Sequence, residues 1–316
     1  MTAMGASTAE AARSLGLHLT LLLLAPSLVQ GVIVKTKAFV AGRRGPPLLQ
    51  PYFDVWKLLR KGAVYSRTTT VVFRIGPIGA LAATIVAGLV VPLGRNAPPF
   101  AFPGDLVLFA YLLGLGRFVT LLAALDTGSS FEGMGASREA TFSTLAEPAL
   151  FLAVAVLALA AGNPSLAAIA EAVTPASFAT SGPSLLLAVF ALLVVALAEN
   201  SRVPVDDPAT HLELTMIHEV MVLDHSGPDL ALILYGAAMK LLVVGSLVVT
   251  PLLPGDLGSP WANAGAFLGG AIALGVAIGL VESTMARLRL VRVPLLLAGA
   301  IVLAAIGLVV RLTAGG

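Results

Sequence analysis

The chain has 316 residues, 58% of them hydrophobic and only 11% charged, with a formal net charge of +2 and no cysteine. A soluble globular domain carries about a quarter charged residues; this composition, with a mean hydropathy of +0.96, excludes one and points to a polytopic membrane protein. The near-neutral charge gives no footprint for nucleic acid, and without thiolates the chain makes no disulfide and holds no iron–sulfur cluster of its own.

A spanning helix needs about 20 mostly apolar residues. Eight stretches qualify in chain order: 15–34, 75–93, 106–125, 141–162, 178–198, 230–253, 261–281 and 293–310. The expected fold is therefore all-α, a single integral membrane domain over 1–316 with eight transmembrane helices and two long loops at 35–74 and 199–229. The first stretch reads as an uncleaved span, because the segment before it holds only Arg13 beside Glu10. The fourth takes in Glu147, and the fifth begins ahead of Pro183. In the first loop Gln50-Pro51 predicts a helix start. Tyr52, Val55, Trp56 and Leu59 then form an amphipathic face beside Lys57, Arg60 and Lys61, suited to anionic lipid or to a docking soluble subunit.

Lysine and arginine asymmetry sets the expected orientation. Fourteen of these residues fall on one side: Lys35, Lys37, Arg43, Arg44, Lys57, Arg60, Lys61, Arg67 and Arg74 from the first loop, with Arg138, Arg202, Arg287, Arg289 and Arg292 later. Only Arg13, Arg95 and Arg311 fall on the other. Both termini are expected outside and both long loops in the cytoplasm.

Seven of the seventeen acidic residues crowd into the stretch 199–229. Asp207-Pro208 has the form of a helix N-cap and N1 pair, which predicts a helix over about 208–222. On it His211, Thr215, His218 and Glu219 share a polar stripe, while Glu213 falls among Met216, Ile217 and Val220. A carboxylate on an apolar face is desolvated and tends to keep its proton, making Glu213 the first choice for a proton relay; the plain alternative is a structural pair with Arg202 or Lys240. His211 and His218 lie seven residues, about 10 Å, apart along a helix and do not match a zinc motif, so no metal is expected. Charges inside spans are expensive and mark functional candidates. Those are Arg117, Glu147, Lys240 and Glu282, which with Glu199 and Glu213 would make a buried carboxylate–base chain; pairing within the bundle is the bland reading.

The segments GRRGPPLLQPYFDVWKLL, LDTGSSFEGMGASREATFSTLAEPAL and ENSRVPVDDPATHLELTMIHEVMVLDHSG resemble the first inner loop, the segment before span 4 and the acidic loop of the complex I subunit 1 family. VPVDDPATHLELTMIHE and ALDTGSSFEGMGASRE are similar to the branch serving group 4 energy-converting nickel–iron hydrogenases, including formate hydrogenlyase. The quinone-reducing branch carries an A-P-F-D-L-P-E-A-E-S-E type loop. This chain keeps an acid at Glu213 but has Ala209 and His211 at the other two acidic positions, a departure that argues against quinone chemistry.

The resemblance implies a cell-membrane subunit that is not catalytic by itself. It would anchor a nickel–iron large subunit and an iron–sulfur small subunit, which hold the metal centres, and pass redox energy to antiporter-like membrane subunits. Arg43, Arg44, Gln50, Asp54, Lys57, Arg202, Asp206 and Asp207 would dock the redox module. Glu213, Glu199, Glu147, Glu219, Glu282, Lys240, Arg117, His211 and His218 would relay protons or charge. A quinone-site subunit of a complex I relative is the alternative, expected to show an open cavity near spans 1 and 6. A secondary transporter fits less well, because no internal repeat is visible.

Overall fold

Apolar runs separated by Gly, Pro and charged turns fold into helices joined by short connections. The computed structural model describes residues 2–206 and 216–314. Its helices are α1 (Thr2–Val40), α2 (Gln50–Leu59), α3 (Val71–Val90), α4 (Asp105–Asp126), α5 (Ser130–Ala161), α6 (Leu166–Ala172), α7 (Ser177–Glu199), α8 (His218–Met221), α9 (Gly227–Val249), α10 (Pro260–Thr284) and α11 (Val293–Ala314). Among the described residues eight are long and apolar enough to cross a membrane: α1, α3, α4, α5, α7, α9, α10 and α11.

Three elements differ from expectation. α1 runs Thr2–Val40, beyond both ends of the 15–34 stretch. α5 starts at Ser130 rather than near 141, because its polar first half still has a face to bury: Gly135 lies so close to Val220 and Ile217 that a Cβ would overlap them. The helix expected over 208–222 is reduced, among the described residues, to the single turn of α8, with Met216 and Ile217 outside it. α7 begins ahead of Pro183 as expected and bends at Ser181, whose φ/ψ is non-helical.

The helices pack in two groups. α1, α10, α9, α3 and α4 form one, and α5, α7 and α11 the other; they meet along α4–α5 and α7–α9. Local chemistry fixes the neighbours. Asp126, the last residue of α4, accepts from Thr70 N (2.6 Å) and Phe73 N (3.3 Å), so one helix end caps the next. Gly76 then brings α3 onto Ala123 with no room for a side chain. At the end of the bundle opposite the long loops, Arg95 donates to the carbonyls of Val173 (3.0 Å), Leu253 (2.5 Å) and Pro254 (2.8 Å), tying three connections together.

α2 lies against α9 and α1. Its Tyr52 hydroxyl donates to the Leu24 carbonyl, and Tyr235 of α9 donates to Leu23 at 2.7 Å. Tyr52 and Val55 of the predicted amphipathic face are half-buried there, while Trp56 and Leu59 stay exposed.

Candidate functional site

Where the two helix groups meet, α4 carries an arginine in an otherwise apolar run. A guanidinium cannot be deprotonated, so at this depth it needs anionic partners. Arg117 finds three. Its Nη2 donates to Glu199 at the end of α7 (2.5 Å), its Nη1 to Glu147 of α5, and its Nε lies 3.5 Å from Glu139 of α5. Lys240 of α9 completes the cluster, 2.9 Å from the Glu199 carboxylate and 2.6 Å from its backbone carbonyl. Among the described residues two cations thus face three carboxylates, one negative charge in excess when all are ionised.

A cavity of about 90 Å³ adjoins the cluster, lined by the charged or titratable Arg117, Glu139, Glu199, Lys240 and His218, by Thr84, Thr120, Asn200 and Ser201, and elsewhere mainly by apolar residues of α3, α4 and α9. Roughly 10–15 Å³ of such space holds one water, so several fit. No described residue of α1 lines it.

The chain after α7 builds the roof. Asp206 is 1% exposed; it accepts from Ile217 N (2.9 Å) and His218 N (3.2 Å) and pairs with Arg287 of the α10–α11 loop (2.9 Å). Arg138 of α5 donates to the Met216 carbonyl (2.8 Å). These bonds place the His218 ring on the cavity, its Nε2 buried without a hydrogen-bond partner among the described residues. Burial pushes the His218 pKa below the ordinary histidine value, outweighing Glu219 and Asp206, which pull it up; Lys240 adds to the depression. Burial thus favours the neutral form of this ring, which lines the same cavity as Glu139 and Glu199.

A second ion-pair group lies apart. Glu282, near the end of α10, pairs with Lys37 of α1 (2.8 Å) and Arg202 (3.3 Å), and Arg202 also donates to Gln30 of α1.

Of the residues singled out from sequence, Arg117, Glu147, Glu199, Lys240 and His218 are brought together. Glu282 is not, and Arg202 belongs with it; Glu219 stands half-buried beside His218. The docking set divides. Arg43, Arg44, Asp54 and Lys57 are exposed, with Gln50 donating to Asp54 (2.8 Å). Arg202 and Asp206 are buried in ion pairs, because the turn after α7 folds back into the bundle, and they do not belong to a docking surface. Glu213, His211 and Asp207 lie outside the described residues. The alternative partners for Glu213, Arg202 and Lys240, are bonded to Glu282 and Glu199. Glu139 is the residue that sequence reasoning missed. Its signal was periodic: Glu132, Glu139 and Glu147 recur at seven and eight residues along one helix.

The family model described as NADH dehydrogenase matches residues 13–312. The chain is 37% identical to hydrogenase-4 component C of Escherichia coli K12 over 237 residues, covering 74% of this chain and 72% of the relative. It is 31% identical to formate hydrogenlyase subunit 4 of the same strain, covering 86% and 89%. The H-type subunit of NADH-quinone oxidoreductase from Neisseria meningitidis matches at 26% identity, covering 70% and 63%. A chain of the membrane-bound sulfane sulfur reductase, an archaeal respiratory membrane complex, superposes with a TM-score of 0.81 at 25% identity, covering 93% of this chain and 98% of that one. The resemblance read from the inner loops thus extends along the whole bundle, and the chain belongs to the NADH dehydrogenase family, as a membrane subunit of the complex I subunit 1 type.

Proposed function

We propose that this protein is the membrane-anchoring and proton-coupling subunit of a group 4 hydrogenase or formate hydrogenlyase type complex, with its long loops in the cytoplasm and both termini outside. The cluster of Arg117, Glu139, Glu147, Glu199 and Lys240 beside a cavity of about 90 Å³ carries this reading. Its uncompensated negative charge is what a single proton would neutralise, and neutral His218 stands next to it as an acceptor. Glu213 and His211 remain candidates for the first step from the loop.

In this reading a redox module of nickel–iron and iron–sulfur subunits docks over the exposed Arg43, Arg44, Asp54 and Lys57. The metal centres belong to those subunits, since this chain has no cysteine to hold a cluster. A unit of charge changing at ~4 Å is worth roughly 4 kcal/mol at an effective dielectric of ~20, enough to move a proton on or off the cluster. Antiporter-like membrane subunits would receive that change. A quinone-site subunit would show an open cavity near spans 1 and 6. The cavity borders span 6, which is α9, but its other walls are α3 and α4 and no described residue of α1 lines it; on the α1 side Tyr52 and Tyr235 bond to α1 instead.

The test is to tag the chain, purify its complex in mild detergent and assay hydrogen evolution from reduced viologen against quinone reduction. Nickel in the co-purifying large subunit, with hydrogen evolved and quinone ignored, is the expected result. Quinone turnover by a nickel-free complex would move the chain to the complex I branch.

A further inference from the structure

α2 presents three faces. Tyr52, Val55 and Leu58 are half-buried on the side that packs against α1 and α9. Gln50, Asp54 and Lys57 line a polar edge. Phe53, Trp56 and Arg60 recur at i, i+3 and i+7 and so share a third stripe. All three are exposed, Phe53 by 59% and Trp56 by 62%.

The depth of α2 decides what this stripe faces. Leu48 sets its carbonyl against Gly31 of α1, where no Cβ would fit, and the Tyr52 hydroxyl donates to the Leu24 carbonyl. Lys35, the first charged residue after the apolar run of α1, lies four residues beyond Gly31 and eleven beyond Leu24, about 6 and 16 Å along the helix. The start of α2 therefore sits on the bilayer side of Lys35. Its other end rises to the rim, because the Gly62 carbonyl packs against Gly227, the first residue of α9. On a helix inclined in this way Phe53 and Trp56 meet acyl chains, with the indole near the rim where tryptophan is favoured. Arg60 closes the stripe at headgroup level. Its guanidinium lies over the Trp56 ring, 5.8 Å from the centre, and makes no ion pair with any described residue. Between residues 46 and 70 four cations, Lys57, Arg60, Lys61 and Arg67, stand against the single acid Asp54, which accepts from Gln50 (2.8 Å).

We propose that the Phe53–Trp56–Arg60 stripe of α2 holds an anionic phospholipid of the adjacent leaflet, with an acyl chain along Phe53 and Trp56 and the phosphate on the Arg60 guanidinium. An apolar stripe that ends on an unpaired cation is complementary to a lipid with net negative charge, and a zwitterionic headgroup answers it less well. Asp54 and Lys57 point about a quarter turn away, so the lipid leaves that edge open. Bound there, the lipid fixes the tilt of α2 and with it the seat of Tyr52 on α1. The inference goes beyond the functional proposal and depends neither on a redox module nor on which side of the membrane the loops face.

The chain has two tryptophans, so Trp261→Phe leaves Trp56 as the single reporter in the full-length protein. That protein is reconstituted into phosphatidylcholine nanodiscs containing a small, equal fraction of either phosphatidylglycerol or phosphatidylcholine brominated on its acyl chains, and quenching of Trp56 is read. Phosphatidylglycerol is expected to occupy the stripe about fivefold more effectively, the contribution of one arginine at an anionic surface. In Arg60→Gln the two lipids are expected to quench alike. Each signal is taken relative to the unbrominated lipid, so loss of the Arg60–Trp56 contact does not by itself move the ratio. Equal quenching by both lipids in the parent, no quenching by either, or a preference that survives Arg60→Gln overturns the proposal. As a second measurement, photoreactive benzoylphenylalanine replaces Phe53 in the chain within its native membranes. The expected adduct is with phospholipid; an adduct with a protein subunit means that a partner covers the stripe and overturns the proposal as well.

Discussion

Arg117 and Arg202 are both buried in the bundle, and their surroundings are built differently. Arg117 shares three carboxylates with Lys240, has more anions than cations around it, and borders a cavity that admits water. Arg202 and Lys37 share the single carboxylate of Glu282, which is fully buried, and Gln30 takes up another guanidinium donor. Among the described residues the second arrangement has no carboxylate in excess, and it does not border the cavity. It joins the turn after α7 to α1 and α10. One cluster is suited to exchange a proton, and the other holds the roof in place.

The largest expected effect breaks the first cluster outright. Arg117→Met leaves three carboxylates with Lys240 alone, and removing one partner of a buried pair costs about 3–5 kcal/mol. Detergent-solubilised Arg117→Met is expected to unfold well below the parent protein or to fail to assemble. A melting temperature within a degree or two of the parent would show that Glu139, Glu147 and Glu199 do not depend on that guanidinium.

Next come two neutralisations whose contrast is the point. Glu282→Gln strands Lys37 and buried Arg202, so stability should fall, toward the lower end of the same ~3–5 kcal/mol because Lys37 is partly solvated. Complex that survives should still translocate ions normally per turnover. Glu139→Gln removes the excess charge and should leave stability within about 1 kcal/mol, with hydrogen evolution retained and proton movement into proteoliposomes lost. If both variants lose stability alike and neither loses coupling, the distinction between the clusters fails.

Much of this was legible in the sequence and some was not, for definable reasons. Eight spans, the α2 start at Gln50-Pro51 and the in-span candidates Arg117, Glu147 and Lys240 follow from local patterns: apolar length, a helix-start dipeptide, and the cost of charge in hydrocarbon. Glu139 was hidden because ASREATFST is too polar for a hydropathy window, which placed it in a loop; tertiary packing of Gly135 and its neighbours makes it helix. Arg202 and Asp206 looked exposed because their neighbours are polar. Whether a turn folds inward depends on partners such as Glu282 and Arg287, which are eighty or so residues away, and no local pattern reports that. The cluster itself joins residues 117 and 199 across four helices, so its members were readable singly and their contact was not.

A smaller effect tests the neutral base beside the first cluster. Burial holds the folded-state pKa of His218 below its ordinary ~6.5, so near pH 6 the unfolded chain binds more protons at this site than the folded one. Stability therefore rises with pH. The contribution is fully present above about pH 6.5 and is lost as pH falls below it, towards the depressed folded value. Among the described residues the charged groups acting on the ring are Glu219, Lys240 and Asp206. His218→Gln should flatten the melting temperature between about pH 7 and 5 relative to the parent. An unchanged slope would mean that the imidazole is solvated and not held neutral against the cavity.

The smallest effect sharpens the comparison from the side of the clamp. Lys37 is 31% exposed while its partner Glu282 is wholly buried, so water screens most of what the ammonium adds. In Lys37→Met, Glu282 keeps Arg202 at 3.3 Å, and no charge is left buried without an opposite. An ion pair open to solvent contributes about 0–1 kcal/mol, and the methionine stem replaces most of the lysine's apolar contact with α1 and α10. Lys37→Met should therefore melt close to the parent, unlike Arg117→Met, even though each substitution removes one cation from a two-cation cluster. A loss as large as that of Arg117→Met would mean that Arg202 alone does not satisfy Glu282, and that the second cluster, like the first, depends on each of its charges.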